Sequence, residues 1–196
     1  LRLAGAGADA VLARGHRPLG WLGAGWAMAM VVLGPMVTIA AVQQQRTPFF
    51  FEPQAFLVKD IASIVCFAGL TAAAIALRHD SGWHRRLHLC ALAAIMGPAF
   101  GRLLPMPLLI PWAFEVAVLP ALIFPAFLAL AEGRAEGRLH PAWLVGMAAI
   151  PATLLAGQLI AHGPVGDTAY AAAVSGTAMQ GVPGLAYPPP PTPPPG

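Results

Sequence analysis

Five long apolar runs constrain the fold of this chain more than any other feature of its sequence. Each run approaches or exceeds the roughly 20 apolar residues that a helix needs to cross a bilayer. Only 10% of the residues are charged and 58% are hydrophobic, whereas a soluble domain has about 25% charged residues. The sequence therefore predicts an all-α integral membrane bundle with five transmembrane helices, at residues 19–42, 55–77, 87–104, 108–131 and 141–161.

The arginines lie almost entirely on one side of these predicted crossings. Counted through alternating loops, only Arg46 and Arg102 fall on the side opposite to the other arginines. Because positively charged loops stay in the cytoplasm, we predict a multi-pass protein of the bacterial inner membrane. Residues 1–18 would be cytoplasmic and the tail, residues 162–196, periplasmic. The net charge of +3 reflects loop arginines, so no nucleic-acid partner is predicted, and bound membrane lipids are expected.

Four charged residues are predicted to share one layer inside the membrane, near the periplasmic face. They are Lys59, Asp60, Arg102 and Glu115, all within about 11 Å of that face at 1.5 Å per helical residue. An unpaired charge in lipid is costly, so Arg102 is expected to pair with Asp60 or Glu115, while Lys59 extends to the surface. The layer fits an interhelical ion-pair lock, or a proton or substrate path of a small transporter.

Histidines gather on the predicted cytoplasmic side. His84 and His88 have the HxxxH spacing that places two imidazoles on one helix face, and His16 and His140 lie nearby in the predicted topology. Imidazole clusters suit transition metals or a haem b near the surface. Interfacial histidines beside lipid phosphates are the alternative, and no cofactor is predicted outright.

The composition of the chain changes beyond His162, where the tail begins. Residues 167–179 suggest a short surface helix, and from Pro183 the chain becomes proline-rich, which favours extended polyproline II backbone. This tail is expected to lie on a partner subunit. Its proposed contact residues are Pro183, Tyr187, Pro188, Pro189, Pro190, Pro191, Pro193, Pro194 and Pro195.

Three short motifs are spaced along the chain: HRPLGWLG at residues 16–23, WHRRL followed by GPAFGR between residues 83 and 102, and GRLHPA at residues 137–142. In this order they resemble an uncharacterised family of bacterial multi-span inner-membrane proteins. The resemblance covers most of residues 19–161. It implies a helical membrane protein with a further, sixth span before His16, and it implies no activity.

The motifs of common enzyme classes are absent, including the P-loop, GxGxxG, GxSxG and the HExxH of zinc proteases. The leading hypothesis is therefore a non-catalytic accessory subunit of a larger membrane complex of respiratory or photosynthetic type. One alternative is a haem- or metal-binding membrane redox protein that uses the cytoplasmic histidines. The other is a small transporter that uses Asp60, Arg102 and Glu115.

Overall fold

Every regular element in the described part of the chain is a helix, which confirms the predicted all-α class. The computed structural model describes residues 3–190, with side chains described from residue 18 onward. Short 3₁₀ turns at Met106–Leu109 and Leu119–Leu122 flank the middle helices. The helices are α1 (Leu3–Gln43), α2 (Pro53–Ala76), α3 (Ser81–Ala94), α4 (Gly97–Leu103), α5 (Ala113–Val118), α6 (Ile123–Glu136), α7 (Pro141–Ala161) and α8 (Pro164–Val174).

Four helical segments of the described residues are long and apolar enough to cross a membrane. They are Pro18–Gln43 within α1, the whole of α2, Ala113–Glu136, which joins α5 to α6, and the whole of α7. The protein is therefore a membrane-spanning helical bundle. The third predicted span, residues 87–104, is not among these segments.

The third apolar run is broken rather than continuous. Helix α3 begins earlier than predicted because the Asp80 side chain accepts hydrogen bonds from the amides of Gly82 and Trp83 and caps the helix. It ends at Ala94, and the seven-residue α4 begins at Gly97 with Pro98 in its first turn. Pro98 has no amide hydrogen to donate to the carbonyl of Ala94, four residues earlier, so a continuous α-helix would lose that hydrogen bond. At 14 residues, α3 is too short to cross a bilayer alone.

Two other predicted boundaries shift. The fourth run was predicted at residues 108–131, but its helical part is Ala113–Glu136. Within it a 3₁₀ turn surrounds Pro120, because proline lacks the amide hydrogen that an α-helix needs there. Helix α1 begins at Leu3, so the predicted cytoplasmic segment is mostly helical backbone continuous with the first span.

Helix α2 is the centre of the bundle and packs against α1, α3, α7 and α8. Where α2 and α6 finish, α3 and α7 begin, and we call this the arginine end because Arg78, Arg85 and Arg86 lie there. The opposite end, where α2 begins, is the lysine end. Between the two ends the core is apolar, with Phe67, Leu87 and other buried side chains in contact.

The chain after α7 covers the lysine end. Helix α8 packs against α1, α2 and α7, and its Tyr170 and Val174 are buried against Val42 and Leu57. Farther along, the carbonyl oxygen of Gly184 accepts a hydrogen bond from the Gln54 amide at 2.8 Å. We call α8 and residues 183–190 together the cap.

Candidate functional site: a buried ion pair beneath the cap

A buried ion pair joins α2 to α5 at the lysine end. The Lys59 Nζ donates to Glu115 Oε1 at 2.7 Å, and the two side chains are 6% and 16% exposed. Lys59 also lies over the Phe114 ring, 5.7 Å from its centroid, within cation–π range. The expectation that Lys59 extends to the surface is wrong, since its ammonium points into the bundle.

Aromatic rings surround this pair. Phe51 stacks on Phe56 with centroids 5.6 Å apart and meets Phe114 edge to face at 5.7 Å. Phe50 packs against Phe51 in turn. The triplet Phe49–Phe51, typical of an interfacial anchor, is thus half-buried and directed toward the ion pair, where it excludes water and strengthens the electrostatic attraction.

A small cavity lies between the aromatic rings and the cap. It is bordered by Glu52, Lys59, Pro111 and Tyr187 among others, and its volume of about 20 Å³ has room for about one water molecule. The Glu115 Oε2 atom is buried and has no hydrogen-bond partner among the described residues. A space of this size excludes an organic substrate in this conformation.

The cap packs closely on the start of α2 at Gly184, where a side chain would have to displace its neighbours. A Cβ atom on Gly184 would lie 2.5 Å from Gln54 Oε1 and 2.8 Å from Tyr170 Cδ1. The Gln54 side chain also donates to the Ala161 carbonyl and to Asp167, both at 2.7 Å. Gln54 therefore ties the start of α2 to α7, to α8 and to the tail, a role that no sequence motif indicated.

The tail contacts its own bundle rather than standing away from it. Tyr187 lines the cavity beside Lys59. Burial raises the pKa of Tyr187, and the nearby carboxylates of Glu52 and Glu115 raise it further. Gly184 and Tyr187 thus contact the bundle of the same chain, whereas Pro183, Pro189 and Pro190 are exposed. The contact of the tail with a partner stays a prediction. Four of its proposed residues lie outside the described part of the chain: Pro191, Pro193, Pro194 and Pro195.

The predicted pairing of Arg102 is wrong. Its side chain is exposed and donates to the Pro98 carbonyl at 2.7 Å, within its own short helix. The Asp60 carboxylate instead accepts a hydrogen bond from the Thr38 hydroxyl of α1. The same hydroxyl lies 3.0 Å from the Gly34 carbonyl oxygen. Of the four residues predicted to form one group, the structure pairs only Lys59 with Glu115.

A second charged network lies at the arginine end and was not predicted. The Glu132 carboxylate accepts from Arg86, which is 4% exposed, from Arg85, which is 62% exposed, and from the Trp143 indole at 2.6 Å. These contacts tie α3, α6 and α7 together. Trp143 is buried. The available signal in the sequence was Glu132, the acidic residue directly after the fourth apolar run.

Of the four histidines predicted as a group, His84 and His88 form a pair. The rings of His84 and His88 meet with centroids 4.8 Å apart. The His140 side chain accepts from the Ala142 amide at 3.2 Å and caps α7, so it is not part of a histidine cluster. The side chain of His16 lies outside those described. Among the described residues, no three histidine, cysteine or acidic side chains are grouped as metal ligands.

Comparison with protein-family models, with curated proteins and with solved structures gives no match. The function therefore has to be inferred from the chain's own geometry.

Proposed function

We propose that the protein is a non-catalytic accessory subunit of a larger membrane protein complex, and that α1 is the helix through which it binds its partner. The observation that carries this proposal is how little of α1 the chain itself covers. In the apolar window of Pro18–Gln43, 11% of the residues are buried, against 28% to 39% in the other three candidate spans.

The composition of the uncovered part of α1 supports a protein partner over lipid alone. Trp21 and Trp26 are 80% and 66% exposed. Between and beside them are Gly20, Gly23 and Gly25, where an added Cβ would meet nothing within 4 Å. Small residues let two transmembrane helices approach closely, so the partner surface that fits is a transmembrane helix of another subunit.

The use of the buried charges supports a structural role. Lys59 and Arg86 are the buried charged residues of the described part of the chain, and each is held in an ion pair with a carboxylate on another helix. Neither cation is available for a substrate in this arrangement. The transporter hypothesis loses the Arg102 contact on which it depended, because Arg102 lies apart from both carboxylates.

The proposed location is the bacterial inner membrane, with the arginine end in the cytoplasm and the cap in the periplasm. The arginine distribution of the sequence supports it. Arg46 follows α1 at the lysine end, whereas Arg78, Arg85 and Arg134 lie at or beside the arginine end. A respiratory or photosynthetic complex is the proposed host.

The test is to fill the uncovered face of α1 and to follow the complex extracted from native membranes in mild detergent. Gly23→Leu should reduce co-purification of a stoichiometric partner, while the melting temperature of the isolated protein changes little, because Gly23 is exposed and a Cβ atom there meets nothing within 4 Å. Gly69→Leu is the matched control, since Gly69 on α2 is also open within 4 Å.

A photo-crosslinker at Leu22 should then form an adduct with that same partner, and one at Leu159 of α7 should not; both positions are strongly exposed. Adducts with lipid only, or a complex that Gly23→Leu leaves intact, would contradict the proposal. An adduct with a second copy of the chain would also contradict the proposal and would indicate self-association instead.

A further inference from the structure

Two histidines at the arginine end lie against each other on one face of α3. His84 and His88 lie one turn apart on α3, with ring centroids 4.8 Å apart and planes at 88°. The Nδ1 atom of His84 is 2.7 Å from the Ala74 carbonyl oxygen. A carbonyl only accepts hydrogen bonds, so Nδ1 of His84 carries a proton, and in the neutral ring Nε2 then has the free lone pair.

This arrangement is the one that metal-binding histidines use. A histidine that coordinates a metal usually donates its other ring N–H to a carbonyl or carboxylate, which fixes the tautomer and the direction of the ring. The Ala74 carbonyl at the end of α2 supplies that support to His84. His88 and the Nε2 of His84 have no hydrogen-bond partner among the side chains and backbone described around them.

The ring separation also agrees with a shared ion. A Zn–N bond is about 2.1 Å, which places a ring centroid roughly 3.2 Å from the metal. Two such rings would have centroids about 4.5 Å apart at a 90° ligand angle and about 5.2 Å apart at a tetrahedral one. The observed 4.8 Å lies between these values.

We infer that His84 and His88 form a two-histidine site for a divalent transition-metal ion at the arginine end of the bundle. The remaining coordination positions are left to water or to a ligand from outside the described residues. Imidazole nitrogens select Cu²⁺, Ni²⁺ and Zn²⁺, whereas Mg²⁺ and Ca²⁺ require oxygen ligands that this site does not present. This inference is independent of the proposed function, because it concerns α3 and not α1.

The test uses the full chain, purified without a histidine tag and titrated in detergent with Cu²⁺, Zn²⁺ and Mg²⁺ separately. One saturable Cu²⁺ per chain is expected, with weaker Zn²⁺ binding and none for Mg²⁺. His88→Ala should weaken Cu²⁺ binding by about tenfold or more, since loss of even an outer-shell partner costs that much. His84→Gln should do the same.

The matched control is His162→Ala at the lysine end, where the ring is 3.5 Å from Glu52; it should leave Cu²⁺ affinity unchanged. The electron paramagnetic resonance spectrum of the Cu²⁺ form should show two coupled nitrogens, and one in His88→Ala. Absence of saturable binding, or affinity that His88→Ala leaves intact, would overturn the inference. The wild-type melting temperature should also rise with Zn²⁺, and that of a correctly folded His88→Ala should not.

Discussion

Removing one member of the Lys59–Glu115 pair should destabilise the bundle far more than removing both. At the observed separation of 2.7 Å, two unit charges attract by about 6 kcal/mol at an effective dielectric constant of about 20. Desolvation of both groups offsets much of this attraction. Lys59→Met leaves the Glu115 carboxylate buried without its cation, and breaking such a pair costs about 3–5 kcal/mol.

The double variant Lys59→Met with Glu115→Leu should recover most of the loss. Replacing a buried ion pair by apolar side chains of similar volume is close to neutral, or stabilising by about 1–4 kcal/mol. The assay is a double-mutant cycle on the free energy of unfolding, measured by denaturant titration in one detergent. Arg102→Met is the control, and its exposed side chain should contribute less than about 0.5 kcal/mol.

Two results would refute this reasoning. If each single variant costs less than about 1 kcal/mol, the pair is not buried as strongly as its exposed fractions indicate. If the costs of the single variants simply add in the double variant, the two charges are not coupled, and additive behaviour is expected only for independent sites.

Two further perturbations probe the two ends of the bundle. Arg86→Gln should lower the free energy of unfolding more than Arg85→Gln does on the same Glu132 carboxylate, because Arg86 is 4% exposed and Arg85 is 62% exposed and a surface ion pair contributes little to stability. Equal losses in chemical denaturation would contradict the described network. Gly184→Val places a Cβ atom too close to Gln54 and should release the tail. Hydrogen exchange would then show faster exchange of the Gln54 backbone amide at unchanged helix content. An unchanged exchange rate would show that the tail does not protect this amide.

The sequence predicts the spans best where an uninterrupted apolar run is also an uninterrupted helix. The run at residues 141–161 coincides with α7, which continues through Pro151, because neighbouring helices can satisfy the backbone group that a proline frees. The run at residues 87–104 contains Gly97-Pro98, and there the helix breaks. Hydropathy averages over such a break, because it measures transfer of side chains and not the continuity of hydrogen bonds.

The partners of the charged residues could not be predicted from the sequence. Successive residues on a helix point about 100° apart, so Lys59 faces α5 while its neighbour Asp60 faces α1. Which way each points depends on the rotation of α2 within the bundle, and a single sequence carries no direct signal for that rotation. Arg102 lies on α4, a separate short helix after the break. Because α4 does not continue α3, the spacing of Arg102 along the sequence does not give the direction in which its side chain points.

The two ion-pair networks together explain how a bundle with so uniform an apolar surface keeps one arrangement. In lipid, apolar side chains have little preference between lipid and each other, so packing around Phe67 and Leu87 alone would let the helices slide or rotate. The Lys59–Glu115 pair fixes α2 against α5 at one end, and Glu132 fixes α3, α6 and α7 at the other. Helix α1 is tied to α2 by the Thr38–Asp60 contact and to α8 by the Gln43 side chain, which donates to the Ala173 carbonyl at 2.7 Å. Its membrane-length part nevertheless has the smallest buried share of the four candidate spans, as the proposed packing on a partner requires.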